Sequence, residues 1–420
     1  MKLSLFGRIS LALFASLILG LGMTGCGGGT IAYLWVLGTQ SNPSQSVIVG
    51  FKVDDYTGNL TAIPHSPFAS NGVNPLSIVV KPGGRFIFVL NQGTGGSAAG
   101  PGQSAGVSVF AVSGEGALTY QATYQSEGYV PQWIQLDSTG TYLYVLDKYS
   151  PGYNALTGQY TAPNTDGFGS ITAFSIDATT GRLSLVTNST ILNNNINTPF
   201  FEVGGSPFMM KSLGSCMLTV NSADNSISPY TFSTGGQLAF TGSTGRYVVP
   251  GANHISSING GGSYVYLTDS GANTILPFTL GTGCTLSPVT GGAVANEAGT
   301  SDPVYSLIDS TGKYLYVLDH TQVTSGSSTQ PFSYISAYTV NATNGQLSPI
   351  SDAPYTVGSG PVCEVEDPTN QYLYISNFND GTVTGKLLDP TTGRLEQLSR
   401  GSTFTATGQA TCLALSGSVD

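Results

Sequence analysis

Charge is what this chain has least of. Only 9% of its 420 residues are Asp, Glu, Lys or Arg, against roughly 25% in an average soluble domain. Thirteen Lys and Arg face 23 Asp and Glu, for a formal net charge of −10. A surface so poor in cations cannot neutralise a run of phosphates, which argues against nucleic acid as a partner. Histidine occurs three times and never in an HxH or HExxH spacing, so no metal site is expected. There is no G-x-S-x-G nucleophile elbow. The Gly-rich GTGGSAAGPG leads into a strand rather than a helix, so it is not a phosphate loop. No cofactor is implied. Amphipathic helical periods are also missing beyond the N-terminus.

Gly, Ser, Thr, Asn, Tyr and Val fill the space, and these residues make strands and tight turns. The reading is all-β. Its architecture comes from a repetition: DSTGTYLYVLDK (Asp137 to Lys148) returns 172 residues later as DSTGKYLYVLDH (Asp309 to His320). With imperfect copies admitted, the motif occurs seven times, as YLWVLG, FIFVLN, YLYVLD, CMLTVN, YVYLTD, YLYVLD and YLYISN, starting at Tyr33, Phe86, Tyr142, Cys216, Tyr264, Tyr314 and Tyr372. From the second copy onward, a shorter strand and a turn such as KPGGR or DPTNQ precede it. A third strand, a Gly turn and a fourth strand generally follow. Turns at this spacing between short strands indicate consecutive antiparallel hairpins. Four strands per unit and seven units describe a seven-bladed β-propeller of four-stranded antiparallel blades. YLYVL reads as continuously apolar, as expected for a strand covered on both faces. The first unit starts directly at its second strand, while TCLALSG at the C-terminus lacks a partner. That strand should complete blade one and close the ring. The Asn or Asp ending six of the copies is expected to bond the backbone of the following turn rather than to catalyse.

The N-terminus differs from the rest. Lys2 and Arg8 precede the apolar LALFASLILGLGM, too short and wrongly flanked to span a membrane comfortably, and small residues follow. This reads as an export signal over residues 1–25, with Cys26 placed as in a bacterial lipoprotein, although Met23 stands where Leu is usual. Residues 26–32 form a Gly-rich tether and 33–420 the propeller. The expected location is the bacterial cell envelope, lipid-anchored through Cys26, and in a Gram-negative cell at the outer rather than the inner membrane, because Gly27 replaces the Asp of an inner-membrane retention signal. Losing Lys2 and Arg8 takes the formal charge from −10 to −12. Cys216, Cys284, Cys363 and Cys412 then remain, either as two disulfides in one of three connectivities or as buried thiols.

The (Y/F)-x-(Y/F)-V-x-(N/D) strands, TG-(R/Q)-L turns and SPF or GSGP linkers resemble the seven-bladed lactonase family, which includes the propeller form of 6-phosphogluconolactonase. The resemblance covers about residues 31 to 420. It is specific for the fold and weakly specific for activity, because the matching residues belong to strands and turns. It implies a ligand at the central funnel and a lactone-hydrolysing site with a histidine just before an inner strand, where relatives read PH and this chain reads NH.

Long loops interrupt blades two, three and six and the link between blades three and four. Loops that differ among matching repeats tend to carry individual function. Cations are scarce, so those on the funnel side stand out: Lys148, Arg246, His254, His320 and Arg400. RYVVPGANH holds Arg246 and His254, and with Glu202 these form the candidate catalytic set. Lys148, Tyr149, Tyr153, Glu297, Asp302, His320 and Arg400 are candidate ligand contacts. Aromatics amid Asn, Gly and Ser could stack on a sugar ring, or merely pack the loops together. The favoured reading is a monomeric envelope protein that binds a small carbohydrate or lactone and hydrolyses the ester. The alternative is a non-catalytic module binding a glycan or a protein.

Overall fold

The structure, a computed structural model, describes residues 29–417 apart from 155–158, 163–165, 190–191, 194–195, 242–244 and 324–330. The expected signal and Cys26 lie outside the described residues. Those described contain antiparallel strands and three single-turn 3-10 segments, with no α-helix. Seven sheets form the blades. Their inner strands are Pro75–Val80, Tyr129–Leu136, Pro207–Leu213, Ile255–Gly261, Pro303–Ile308 and Pro361–Glu366 in blades two to seven. Gln409–Gly417 supplies the inner strand of blade one and pairs antiparallel with Thr30–Thr39, setting Trp35 opposite Ala414. The ring is closed by this strand, as the unpartnered TCLALSG requires.

Blades of four strands were expected, yet six sheets carry a short fifth, such as Phe201–Gly205 or Tyr355–Val357. The reason lies in the outer strand. In those six blades it is three residues long and covers only part of the third strand's edge, so the linker to the next blade pairs with the rest. Blade two has a seven-residue outer strand, Leu118–Tyr124, which covers that edge alone.

The Y-x-Y motif fastens blades three, five, six and seven each to the next. Its first aromatic ring lies against the glycine of the next blade's outer hairpin: a Cβ on Gly236, Gly345, Gly393 or Gly58 would fall within 2.5 Å of Tyr142, Tyr264, Tyr314 or Tyr372. Those glycines also hold a positive φ, which disfavours any side chain. The second tyrosine is buried and donates its hydroxyl to the same glycine's carbonyl. Tyr144 reaches Gly236 at 3.2 Å, Tyr266 reaches Gly345 at 3.0 Å, Tyr316 reaches Gly393 at 2.8 Å and Tyr374 reaches Gly58 at 2.6 Å. Trp35 does the same to Gly116 through its indole nitrogen, at 3.1 Å. Blade four reads CMLTVN and lacks both rings. There Cys216, in the first aromatic position, forms a disulfide to Cys284 in the next blade's hairpin. A second disulfide, Cys363–Cys412, joins the inner strand of blade seven to the closing strand. Of three possible connectivities, the ring adopts the one in which both bonds cross between neighbouring blades.

Asn91, Asp147, Asn221, Asp269, Asp319 and Asn377, which close the motif on the second strands, are all buried. Their expected partner, the following turn's backbone, is found for Asp269, which accepts from the backbone N–H of Ala272 and, in the preceding linker, of Asn253 and His254. The others bond chiefly to side chains. Asn221 donates to Ser226 and Ser228, Asn377 to Thr382 and Thr384, while Asp147 accepts from Ser126 and Asp319 from Ser336. A hydroxyl can donate or accept, so the same Ser and Thr framework serves an amide or a carboxyl.

Candidate functional site

Inner strands run from a loop face, bearing the long insertions, to a turn face, bearing the DSTG-type turns. Midway down the channel the rings of Trp133 (blade three) and Tyr305 (blade six) meet, with centroids 6.3 Å apart. They divide the channel into a funnel on the loop face and a cavity on the turn face.

In the funnel, blades four, five and six enclose a pocket of about 400 Å³ lined by Phe208, Ser222, His254, Ser256, Ser270, Asp302, Val304 and His320. The repeat explains why these residues meet. Phe208, His254 and Asp302 lie where their chains enter the inner strands, while Ser222, Ser270 and His320 each follow the Asn or Asp that closes the repeated motif. His254 Nδ1 is 2.9 Å from Ser270 Oγ, and Ser270 Oγ points its hydrogen at the His254 carbonyl, 3.5 Å away. Either atom of the 2.9 Å pair can be the donor; in the tautomer with Nδ1 protonated the serine accepts, and Nε2 of the exposed ring carries the lone pair. His320 Nδ1 lies 3.6 Å from Asp302 Oδ2, and its buried Nε2 has no hydrogen-bond partner among the described residues. The arrangement can thus place an exposed imidazole, an imidazole–carboxylate pair and three serine oxygens beside one small ligand.

Arg246 and Glu202 stand elsewhere. Arg246 Nη1 is 3.0 Å from Asp224, and its guanidinium lies 5.3 Å from the centre of the Phe168 ring. Burial pushes the Glu202 carboxyl above its ordinary value, Asp166 adds to this and Arg246 opposes it. Arg246 and Glu202 therefore belong to one electrostatic cluster on blades three and four. Between that cluster and His254 stands the blade-four turn, where Asn225 bonds the backbone of Ala252, Asn253 and Ile255.

The ligand candidates also divide. Asp302 and His320 are in the His254 pocket. Lys148 Nζ lies 5.5 Å from the centre of the neighbouring Tyr149 ring. The backbone of Tyr153 pairs with that of Tyr160, whose ring meets Phe200 edge-on at 5.5 Å. Phe201 is part of the core between blades three and four. Glu297 accepts from Ala337 N–H, and burial raises its carboxyl. Arg400 follows the outer strand of blade seven, beside Asp54 of blade one. Asp54 is held below its ordinary value first by the Thr57 hydroxyl and last by Arg400. Among the described residues no group of three His, Cys, Asp or Glu could hold a metal ion.

Sequence reasoning passed over Ser222 and Ser270, which sit where His320 sits in blade six. Superimposing the seven copies one residue past their ends would have found both. It also passed over Lys211, the one charged residue of the inner strand PFMMKSL.

Fold and site together define a seven-bladed propeller with a histidine-bearing pocket on its loop face. The chain matches the family model "Lactonase, 7-bladed beta-propeller" over residues 77–157, 96–319 and 267–412. It belongs to the seven-bladed β-propeller lactonase family. Similar solved structures include a candidate 6-phosphogluconolactonase from Bacteroides fragilis, at 16% identity and TM-score 0.68, covering 92% of this chain and 98% of that one. The periplasmic gluconolactonase of Pseudomonas aeruginosa is similar at 15% identity and TM-score 0.66, covering 93% and 100%. At such identities the likeness is one of fold. No curated protein matches the chain.

Proposed function

We propose that this protein binds a small carbohydrate-type lactone in the pocket between blades four, five and six and hydrolyses its ring ester, working in the cell envelope as a lipid-anchored protein. The observation that carries this reading is the meeting of His254, His320 and Asp302 in one pocket. His254 Nε2 takes a proton from a water molecule, whose oxygen adds to the lactone carbonyl carbon. The ring C–O bond then breaks and the imidazolium returns the proton to the leaving ring oxygen, giving a hydroxy acid. His320, when protonated beside Asp302, adds positive charge near the developing oxyanion without touching it. The named activity of the Pseudomonas aeruginosa relative supports a sugar lactone as substrate. An exported chain, as the N-terminal sequence is read, would not meet cytosolic sugar phosphates, which fits the same choice.

The test is acid release from a panel of sugar and aliphatic lactones by the soluble fragment Gly27 to Asp420. His254→Ala should lower kcat/KM by about 100-fold or more, with His320→Ala also impaired and Arg246→Ala within a few-fold of the parent. Activity that survives in His254→Ala but vanishes in Arg246→Ala would move the site to the blade-four cluster. No turnover of any lactone would leave the non-catalytic reading, a module that binds a glycan or protein.

A further inference from the structure

The turn-face half of the channel has a different chemistry from the funnel. It is a cavity of about 470 Å³ roofed by Trp133, Tyr305, Met209 and the Cys363–Cys412 pair. Beneath that roof the seven inner strands each bring one residue to a common level, three positions before the residue that ends the paired motif. Blades three, four and five contribute Gln135, Lys211 and Asn259. Blades six, seven, one and two contribute Leu307, Val365, Ala414 and Val79. At this level one side is polar with a single charge, Asn259 facing the side cleft, and the opposite side is apolar, although Ser77 and Glu366 border the cavity above and below it.

Lys211 is the unusual member. Among the described residues its ammonium has no ion pair and no hydrogen bond, and burial alone pushes the amine down to about 8. The buried indole N–H of Trp133 likewise has no acceptor. The Glu366 carboxylate at the cavity's mouth is already engaged by Ser310 and Asn370. Two donors thus line the cavity without an acceptor to match them. A side cleft of about 610 Å³, bordered by Gly260, Gly261 and Gly262 of blade five, also reaches Lys211 and Ser310.

We propose that this half-channel is a second binding site, separate from the His254 pocket, for a small monocarboxylate with an apolar body. The carboxylate sits on the Lys211 ammonium, and the hydrocarbon lies along Leu307, Val365, Ala414 and Val79 beneath the Trp133 ring. One ammonium balances one negative charge. A phosphate dianion would bring a second, uncompensated charge into a partly desolvated cavity. A polyol would leave hydroxyls unpaired against the apolar wall.

Hexanoate is the probe, with 1-hexanol as its uncharged counterpart. Tryptophan fluorescence reports binding, because Trp133 lines the cavity and Trp35, the other tryptophan, is fully buried outside it. Hexanoate should give a saturable change and 1-hexanol should bind at least ten-fold more weakly. Lys211→Met should lower hexanoate affinity at least ten-fold and leave 1-hexanol unchanged. Met removes a desolvated charge and keeps the length of the chain, so the variant should fold, and Lys211→Gln provides a second reading. His254→Ala should bind hexanoate like the parent, which separates this site from the lactone pocket. No saturable change with hexanoate, equal affinity for 1-hexanol, or full affinity in both Lys211 variants would each overturn the proposal.

Discussion

Two carboxyls in this ring should make it less stable in alkali, and replacing them by amides should remove that weakness. Burial pushes Asp147 up to about 8, although Ser126 and Thr172 hydroxyls oppose the shift. Burial likewise pushes Asp319 up to about 7, against Ser336 and Asn296. In the unfolded chain both ionise near the ordinary value of about 4. The folded state therefore holds protons that the unfolded chain has released. Stability must fall as pH rises from about 4 to about 8, and must be insensitive to these groups outside that window. The shifts set upper bounds of about 6 kcal/mol for Asp147 and about 4 kcal/mol for Asp319, reached above the folded values. Screening and local relaxation reduce them, so about 1–3 kcal/mol each is the expectation. The ring itself contains the control, since blades two, four and seven use Asn at this position among the same kind of hydroxyls. Urea unfolding of Asp147→Asn and Asp319→Asn at pH 5 and pH 9 measures the effect. Each variant's gain over the parent should be larger at pH 9. A constant change from altered hydrogen bonds cancels in that difference. A gain equal at the two pH values, or a loss that deepens at pH 9, would refute the reasoning.

Deleting Gln409 to Asp420 removes the inner strand of blade one and should abolish the cooperative melt by circular dichroism. Replacing Cys363 and Cys412 together by Ser opens a 49-residue separation and should cost about 3–4 kcal/mol in urea unfolding, with the fold retained. Tyr374→Phe leaves the Gly58 carbonyl without its buried donor and should cost about 1–2 kcal/mol by the same assay. Cys26→Ser should abolish incorporation of labelled palmitate in an expressing bacterium and release the protein from the membrane fraction.

Strands, blade count and ring closure were legible because a propeller writes its structure seven times, and a pattern weak in one copy is secure across seven. YLYVLD and its imperfect copies marked the second strand in every blade, and TCLALSG announced its missing partner. The fifth strand was not legible. It depends on how far the outer strand extends, which only the pairing shows. The cysteine connectivity was open for a related reason: Cys284 lies in a hairpin whose neighbour across the blade interface is set by the ring, not by the chain. The site was legible in its residue types and not in their grouping. His254, His320 and Asp302 come together because three consecutive blades present equivalent positions to one pocket. Arg246, only eight residues from His254, is turned to Asp224 by an intervening turn. Nearness in sequence was a poor guide there, and equivalence between repeats was the better one. Lys211 escaped notice because one charge in an apolar strand reads as an irregularity until the seven registers are laid side by side.

The Tyr-to-Gly bonds all point the same way round the ring, and Tyr374 to Gly58 joins the last blade to the first as Tyr316 to Gly393 joins the sixth to the seventh. The seam between blades seven and one is thus held by the same contact as three other joints, with a disulfide added. Nothing in the circle marks blade one as its natural origin. New ends cut in the linker between blades five and six, with a short bridge from Ser416 to Thr30, would leave each of these contacts in place. The direction of travel would survive such a rearrangement even though the order of the sequence would not.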